Sequence, residues 1–422
     1  MKLQKIVSRL QKLHPKEIDL SLDRIKNLCN KLGNPQDKIK AISIIGTNGK
    51  YSTTQALFSI LKEANFKCNV YTSPHIKKIN ERFVFNNKEL NDEELAKLFE
   101  EVEEINHKLP ITFFEILTAA YFYKASKYPD NINLIEAGLF HRFDATNILK
   151  QNLASIITSI SLDHLDWLPK NEQTVEKIIF EKTSTLLNSK IIIARQNSKK
   201  ATRCIKKNIS NNLSKKLFFN EDYSYSSTEK KFFHFEDKFG RLKLLMPNIL
   251  GQFQLENVST AIATLRALEE LKIKDSHIKH GITKINNIAR LQEIKSGKLK
   301  ALVKNNKLLV DGSHNEDGSR VLNQYLQSLN CNKHVIIGMM ANKDHIKYMN
   351  YFKGISTITT IDIPNQPNSI SGQKLKEKLN KFSNIKYKKN IKVAIKSIDL
   401  KDNDILIITG SLYLAGEVLN IN

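Results

Sequence analysis

Cysteine is scarce in this chain and is not spaced for chemistry. Cys29, Cys68, Cys204 and Cys331 stand far apart with no C-x-x-C pair, which excludes a disulfide framework and a zinc site and leaves buried or idle thiols. Long apolar runs are also missing. Residues 1–20 mix Lys2, Lys5, Arg9, Lys12 and Lys16 with scattered apolar positions, so they lack the continuous apolar stretch of a signal peptide. No later segment approaches the roughly 18 to 20 uninterrupted apolar residues of a membrane span. A cytoplasmic protein with no membrane partner is expected. No internal repeat is present, and no low-complexity stretch beyond a bias toward Lys and Asn. Acidic residues are outnumbered, 43 against 66 Lys and Arg, for a net charge of +23. Such a charge suits a nucleic-acid partner, but the lysines are spread along the whole chain, and no RNA-binding or helix-turn-helix signature interleaves them. We read the excess as compositional bias, with no nucleic-acid partner expected. Its positive field still draws small anions toward a cleft.

With 422 residues, 41% of them hydrophobic and 26% charged, the chain has the composition of a soluble globular protein and the length of two or three domains. Short apolar runs alternate with helical patterns through the first half, as in a parallel sheet with crossover helices. Strands are expected at 41–45, 68–72, 133–136, 154–159 and 190–194. Several end directly in polar residues: Gly46-Thr47-Asn48, Ser73-Pro74-His75, Glu136 and Asp163-His164. Ligands bind beyond the carboxyl ends of strands in open α/β sheets, so these residues are expected to face one crevice. From 199 to 243 the pattern degrades into Lys, Asn and Ser with short aromatic runs, expected to be an irregular or β-rich insertion. A helical pattern returns at 257–271. A second α/β series follows, with strands at 307–310, 334–337, 357–361 and 404–408. The division is placed within 290–297, giving domains 1–293 and 294–422.

The run Ile42 to Ile45 leads into Gly46-Thr47-Asn48-Gly49-Lys50-Tyr51-Ser52-Thr53 and then a helical pattern over 54–64. A strand, a glycine turn, a lysine and hydroxyls opening a helix is the arrangement that cradles polyphosphate: backbone N–H groups and the helix dipole meet phosphate oxygens, Lys50 adds a point charge, and a hydroxyl reaches Mg²⁺. The bland alternative is an ordinary strand-to-helix turn that contains a lysine. The loop is not a strict Walker A sequence, which would have glycine at Ile44 and a hydroxyl residue at Tyr51. It resembles instead the shorter G-T-N-G-K-G-S loop of the Mur ligase superfamily, in its folylpolyglutamate synthase/dihydrofolate synthase branch.

That resemblance extends over nearly the whole chain. It takes in Leu22-Asp23-Arg24-Ile25 and Leu32-Gly33-Asn34-Pro35-Gln36 before the loop, then Thr72-Ser73-Pro74-His75 with Glu81-Arg82, and the run Phe113 to Ala120. It continues through Asp144-Ala145-Thr146-Asn147, Leu162-Asp163-His164-Leu165-Asp166-Trp167-Leu168, Glu181-Lys182 and Gly251 to Asn257. It closes on Asp311-Gly312-Ser313-His314-Asn315, Lys343-Asp344 and Gly410 to Leu414. The fold so implied is α/β: an amino-terminal P-loop parallel-sheet ATPase domain with a β-rich insertion, followed by a smaller Rossmann-like domain. The activity implied is an ATP-dependent acid–amino-acid ligase that adds L-glutamate to dihydropteroate, to a folate, or to both, by way of an acyl phosphate.

The resemblance also implies the site. Gly46, Thr47, Asn48, Gly49, Lys50, Ser52 and Thr53 would hold the phosphates of ATP, with Asn257 on adenine, Arg290 on the phosphates, and Asp311 and His314 on the nucleoside. Ser73, Glu136, His164 and Lys182 would hold Mg²⁺, Lys182 after carbamylation, and Lys50, His164 and Lys182 would be catalytic. Read on their own, Glu136 is a loop carboxylate, His164 a packed histidine, Lys182 a helix-surface lysine and Arg290 a linker arginine. Three positions depart from the family: Tyr51 stands for a glycine, Phe140-His141 for a Gly-Gly pair, and Asn287-Ile288-Ala289 for a frequent Trp-Pro-Gly. Where those glycines have positive φ the substitutions carry strain; where they only permit close approach they reshape the pocket. The chain is expected to act as a monomer. Two other readings stand beside this one. A Mur ligase acting on a cell-wall nucleotide precursor is disfavoured by Ser73-Pro74-His75 and by a loop that begins 45 residues in. A basic nucleic-acid-binding P-loop ATPase would differ in releasing phosphate without acceptor or glutamate.

Overall fold

The computed structural model describes residues 2–16, 19–227, 230–382 and 384–422. They form two compact units. The first comprises Met1–His164, Leu168–Asn248 and Leu255–Ile285; the second comprises Leu165–Trp167, Ile249–Gln254 and Asn286–Asn422.

An eight-stranded sheet organises the first unit, in the order Lys88–Glu89, Phe83–Phe85, Cys68–Tyr71, Ile132–Glu136, Lys40–Ile45, Ala154–Ile157, Lys190–Ile193, Lys216–Phe218. The six strands from Cys68–Tyr71 onward run parallel, and the first two add an antiparallel hairpin at the edge. Covered on both faces, the central strands are almost wholly buried, which is why they read as continuous apolar runs and not as alternating patterns. Lys40–Ile45 is flanked in parallel by Ile132–Glu136 and Ala154–Ile157. The carboxyl ends of these three strands therefore bring Gly46, Glu136 and Thr158 to one edge. Buried Asn69, Asn131 and Asn133 bond one another at the opposite ends, with the Tyr121 hydroxyl donating to Asn133 Oδ1. A fully paired polar set inside an apolar sheet holds its register. Helices Asp92–Asn106 and Phe113–Ala125 start where Asn91 with Glu94, and Thr112 with Glu115, satisfy the first N–H groups reciprocally.

The 199–243 stretch differs from the expected irregular or β-rich insertion. Its first part is a helix, Lys199–Asn208, capped by Ser198, followed by Lys216–Phe218, the eighth strand of the main sheet. That helix buries only Ala201 and Ile205, one turn apart, so its lysines mask the pattern. Only the later part is a separate antiparallel sheet, Tyr223–Ser226, Phe232–Asp237 and Gly240–Leu245, closed by alternating Phe233, Phe235, Leu242 and Leu244; residues 228 and 229 lie outside the described residues.

The second unit carries a six-stranded sheet in the order Gln292–Ile294, Lys307–Val310, Ile405–Thr409, Lys333–Ile337, Thr357–Ile361, Ile385–Lys388, parallel except for the first strand. The continuous part of the unit begins at Asn286, a few residues before the expected 293/294 division, and takes in Gln292–Ile294, which pairs with Lys307–Val310. The amino ends of three strands are tied by one polar relay. His334 Nε2–H donates to Asp404 Oδ2 at 3.1 Å, the Thr357 hydroxyl lies 2.8 Å from His334 Nδ1, and the Lys401 amide donates to Asp404 Oδ2 at 2.8 Å.

Burial alone would raise the Asp404 carboxyl, but the Lys401 amide, Asn332 and His334 outweigh it, and the group sits below its ordinary value. A carboxyl depressed in the folded state contributes stability that is complete above its unfolded value near pH ~4 and is lost as pH falls through the folded value. Asp404→Ala, which strands buried donors, is expected to cost about 2–3 kcal/mol at neutral pH. Urea unfolding at a series of pH values should show that gap constant near neutrality and closing below pH ~4.

Candidate functional site

The loop after Lys40–Ile45 is shaped by two glycines with positive φ, Gly46 at 148° and Gly49 at 91°. A Cβ on Gly46 would lie 1.9 Å from Thr158 Oγ1, and one on Gly49 would lie 2.4 Å from Asn257 Oδ1. The loop is therefore pressed between the exit of Ala154–Ile157 and the helix Phe253–Ala267. The Thr47 and Asn48 amides donate to Ser159 O at 2.8 and 3.1 Å, and the Thr47 hydroxyl donates to Ser161 O at 3.1 Å. Gly49 caps the helix Lys50–Glu63, whose first turn opens toward the loop. Lys50 folds back across it: Nζ donates to Gly46 O at 3.1 Å and Thr47 O at 3.2 Å, with Glu136 Oε1 3.9 Å away. Ser52 and Thr53 follow in the first turn, both buried, and Thr53 Oγ1 has no hydrogen-bond partner among the described residues.

Lys182, a helix-surface lysine only when read apart from the family resemblance, is 3% exposed, and its Nζ donates to the same Gly46 carbonyl at 2.9 Å. Burial, and then the charge of Lys50, lower its pKa to about 7, against weaker opposing pulls from Asp163 and Asp144. Its helix, Val175–Thr183, is clamped from outside. The Arg142 guanidinium makes two 2.8 Å bonds to the Glu181 carboxylate, and the Arg142 amide donates to Glu181 O at 2.9 Å. The segment before Arg142 is held by Asp144, whose Oδ2 accepts from the Gly138 and Leu139 amides and whose Oδ1 accepts from the Thr146 amide and hydroxyl. Within this segment Phe140 has φ 53° and is buried. Its ring centroid is 5.6 Å from Lys182 Nζ and 6.3 Å, edge-on, from the His164 ring. His141 beside it is buried, and burial together with the Lys182 charge lowers its pKa to about 3.

The candidate Mg²⁺ donors fall on this unit. Glu136 is buried at the end of its strand. Ser73 lies two residues beyond Cys68–Tyr71, whose Tyr71 pairs with Ile135. His164, with φ 56°, approaches Phe140. No three His, Cys, Asp or Glu side chains cluster as a metal cage among the described residues. A carboxylate, a hydroxyl and an imidazole are donor types that bind Mg²⁺ together with phosphate oxygens and water, so the residues present are chemically compatible with that ion.

In the second unit Asp311 accepts from the Leu291 amide at 2.8 Å and the Ser313 amide at 2.9 Å, and the Gly312 amide donates to Ala289 O at 2.9 Å. Asp311 thus fixes the turn that carries Arg290, and His314 Nδ1 lies 3.2 Å from Gly312 O. Arg290, Asp311 and His314 form one cluster, whereas Asn257 lies in the first unit against Gly49. Sequence reasoning missed the Ser159 and Ser161 scaffold and the Asp144 and Glu181 anchors; the polar exit of the strand at 154–159 was the available signal for the first. The three departures separate. Tyr51 is helical, while Phe140 and Ala289, at φ 54°, hold the left-handed conformation that favours glycine.

A family model described as Mur ligase middle domain matches residues 44–265, and one described as Mur ligase, glutamate ligase domain, matches 298–412. The dihydrofolate synthase/folylpolyglutamate synthase of Escherichia coli (strain K12) is 27% identical to this chain, over 98% of it and 94% of the relative. That of Bacillus subtilis (strain 168) is 28% identical, over 94% of each. Among solved structures, E. coli FolC in complex with DHPP and ADP superimposes with a TM-score of 0.87 at 26% identity, covering 99% of this chain and 97% of that one. The Yersinia pestis bifunctional enzyme complexed with AMPPNP and Mn ion shares the fold, with a TM-score of 0.86 at 24% identity.

Ala289→Gly is expected to stabilise the protein by about 1 kcal/mol, because relief of about 1–2 kcal/mol of left-handed strain exceeds the entropy that glycine adds to the unfolded chain. Tyr51→Gly, within a helix, is expected to lose about 0.5–1 kcal/mol. Chemical unfolding of the two variants side by side checks that their signs are opposite.

Proposed function

The chain belongs to the Mur ligase superfamily, in its folylpolyglutamate synthase/dihydrofolate synthase branch, and we propose that it joins L-glutamate to a pterin-bearing carboxylic acid with cleavage of ATP. The observation that carries this reading is the convergence of Lys50 and Lys182 on the carbonyl of Gly46 inside a glycine-hinged phosphate loop. In the finer reading the enzyme is bifunctional, accepting both dihydropteroate and a folate that already bears glutamate. The two-function names of the E. coli and B. subtilis relatives support this. Its substrates are then small molecules, and the excess positive charge favours their approach. No helix among the described residues is long and apolar enough to cross a membrane.

A carboxylate oxygen is too poor a leaving group for direct amide formation, so the acceptor is first phosphorylated. An acceptor oxygen bonds to the γ-phosphorus as the bond to the β-bridging oxygen breaks and ADP leaves. The α-amine of glutamate then adds to the acyl carbon; the tetrahedral intermediate expels phosphate with the C–O electron pair, and the amine loses a proton. In this scheme the amides of residues 46–50 and the start of the helix Lys50–Glu63 hold the phosphates. Lys50 exchanges the loop carbonyls it now holds for γ-phosphoryl oxygens and stabilises charge during transfer. Ser52 and Thr53 offer hydroxyls from the first turn. Asn257, Arg290, Asp311 and His314 are assigned to the nucleotide on the family resemblance. Mg²⁺, when bound, neutralises charge on the transferring phosphate, and Glu136, Ser73, His164 and Lys182 would hold it.

Lys182 can serve a cation only after its own charge is reversed. With its pKa lowered to about 7, a large share of the side chain is neutral amine at neutral pH. The nitrogen lone pair adds to CO₂, one C=O π pair moves to oxygen, and a nitrogen proton passes to water, leaving a carbamate with one negative charge. A buried ammonium becomes a carboxylate-like ligand.

Phosphate release, measured with each substrate omitted in turn, is expected to require ATP, glutamate and an acceptor together, and mass analysis should show the glutamyl product with both dihydropteroate and tetrahydrofolate. Phosphate release that ignores acceptor and glutamate but rises with nucleic acid would overturn the proposal. Lys50→Ala is expected to fold and to lower turnover by at least about 10²-fold, the scale of removing one preorganised charge from a transition state; near-normal kcat would remove Lys50 from the mechanism.

A further inference from the structure

Phe140 and His141 are consecutive, yet both side chains are turned inward, with exposures of 3% and 5%. The left-handed backbone at Phe140 allows this, and the segment is prevented from relaxing on both sides. Asp144 holds the amides of Gly138 and Leu139, and Arg142 is doubly bonded to Glu181. The Arg142 amide to Glu181 carbonyl bond lays this segment alongside the helix at the position before Lys182. A strained turn kept in place by five hydrogen bonds therefore delivers an aromatic ring and an imidazole to the surroundings of one lysine.

The imidazole is not satisfied there. His141 Nδ1 is buried with no hydrogen-bond partner among the described residues, a costly state for a ring nitrogen. The Lys182 ammonium does not use it, because Nζ donates to Gly46 O instead. We infer that His141 is a positioning residue for modified Lys182, its Nδ1–H reserved for an oxygen of the carboxyl group that CO₂ addition places on that side chain. Neutral imidazole carries one N–H, and a carbamate has two oxygens. One oxygen bonded by His141 leaves the other for the metal, and the Phe140 ring limits how far the group can swing. This inference rests on the reading of Lys182 as carbamylated.

The test is ¹³C NMR of the full-length protein equilibrated with ¹³C-labelled CO₂ and bicarbonate, without nucleotide or metal. The carbamate signal is followed against CO₂ concentration, with Lys182→Ala as the site control that should abolish it. His141→Ala is expected to raise the CO₂ needed for half-occupancy by about tenfold, as for the loss of one hydrogen bond to a charged group. His141→Phe, which keeps the packing but has no N–H, should do the same and serves if the alanine variant unfolds. His141→Asn, whose amide N–H can stand near the position of Nδ1, should restore occupancy to within about twofold. A carbamate at Lys182 whose CO₂ dependence is unchanged in His141→Ala and His141→Phe would overturn the role of His141 alone. Absence of any carbamate in the unsubstituted protein at saturating CO₂ would overturn the reading of Lys182, and this inference with it.

Discussion

The carbonyl of Gly46 accepts two lysines, Lys50 Nζ at 3.1 Å and Lys182 Nζ at 2.9 Å. Two ammonium groups on one oxygen repel each other, and burial removes the water that would screen them. The structure tolerates this only because the oxygen is aimed by a rigid frame. Gly46 takes φ 148°, where a side chain would strike Thr158, and the next two amides are bonded to Ser159 O. The strand Lys40–Ile45 has partners on both sides, so the loop cannot drift sideways. What results is a concentrated positive charge at the start of a helix, with the buried Glu136 carboxylate 3.9 Å from Lys50 as its counterweight. Loss of a proton relieves the repulsion at Lys182, whose pKa burial and the Lys50 charge lower to about 7.

The parts of this arrangement that were legible in the sequence are those whose residues have one plausible cause. Every strand expected from an apolar run is present, with ends within a residue or two, because a strand buried on both faces must be apolar throughout. The glycine turn at 46–49 was legible because it stands between an apolar run and a helical pattern, and the structure places it between the strand Lys40–Ile45 and the helix Lys50–Glu63. Lys216–Phe218 and Gln292–Ile294 were not, since three residues at the margin of a sheet bury too little to leave a pattern. Lys182 shows the deeper limit. One lysine among many on a basic chain gives no sign of its own burial, which comes from Arg142 clamping its helix and from the loop 136 residues earlier in the chain.

Backbone conformation separates substitutions that look alike in sequence. Tyr51, Phe140 and Ala289 each stand where glycine is expected, but only the last two occupy the left-handed region. Tyr51 needs no conformational freedom, and any effect it has must come through its side chain. Ala289 pays in backbone strain for a turn that Asp311 and Gly312 hold from outside, through bonds to the Leu291 amide and the Ala289 carbonyl. Phe140 differs again, because its side chain is large, buried and in contact with both His164 and Lys182.

Asp311 shows why assignment of a residue to a ligand and to a structural task need not compete. Its two oxygens receive the amides of Leu291 and Ser313, and those bonds use only part of their acceptor capacity, since a carboxylate offers about four lone-pair directions. A hydroxyl of a bound nucleoside can be accepted on the remainder without releasing the turn. The converse does not hold: removing the carboxylate frees both amides at once and lets Arg290 move with them. Loss of nucleotide binding on removal of Asp311 would therefore report the misplacement of Arg290 as much as a missing contact, and only replacements that keep acceptors on both amides distinguish the two.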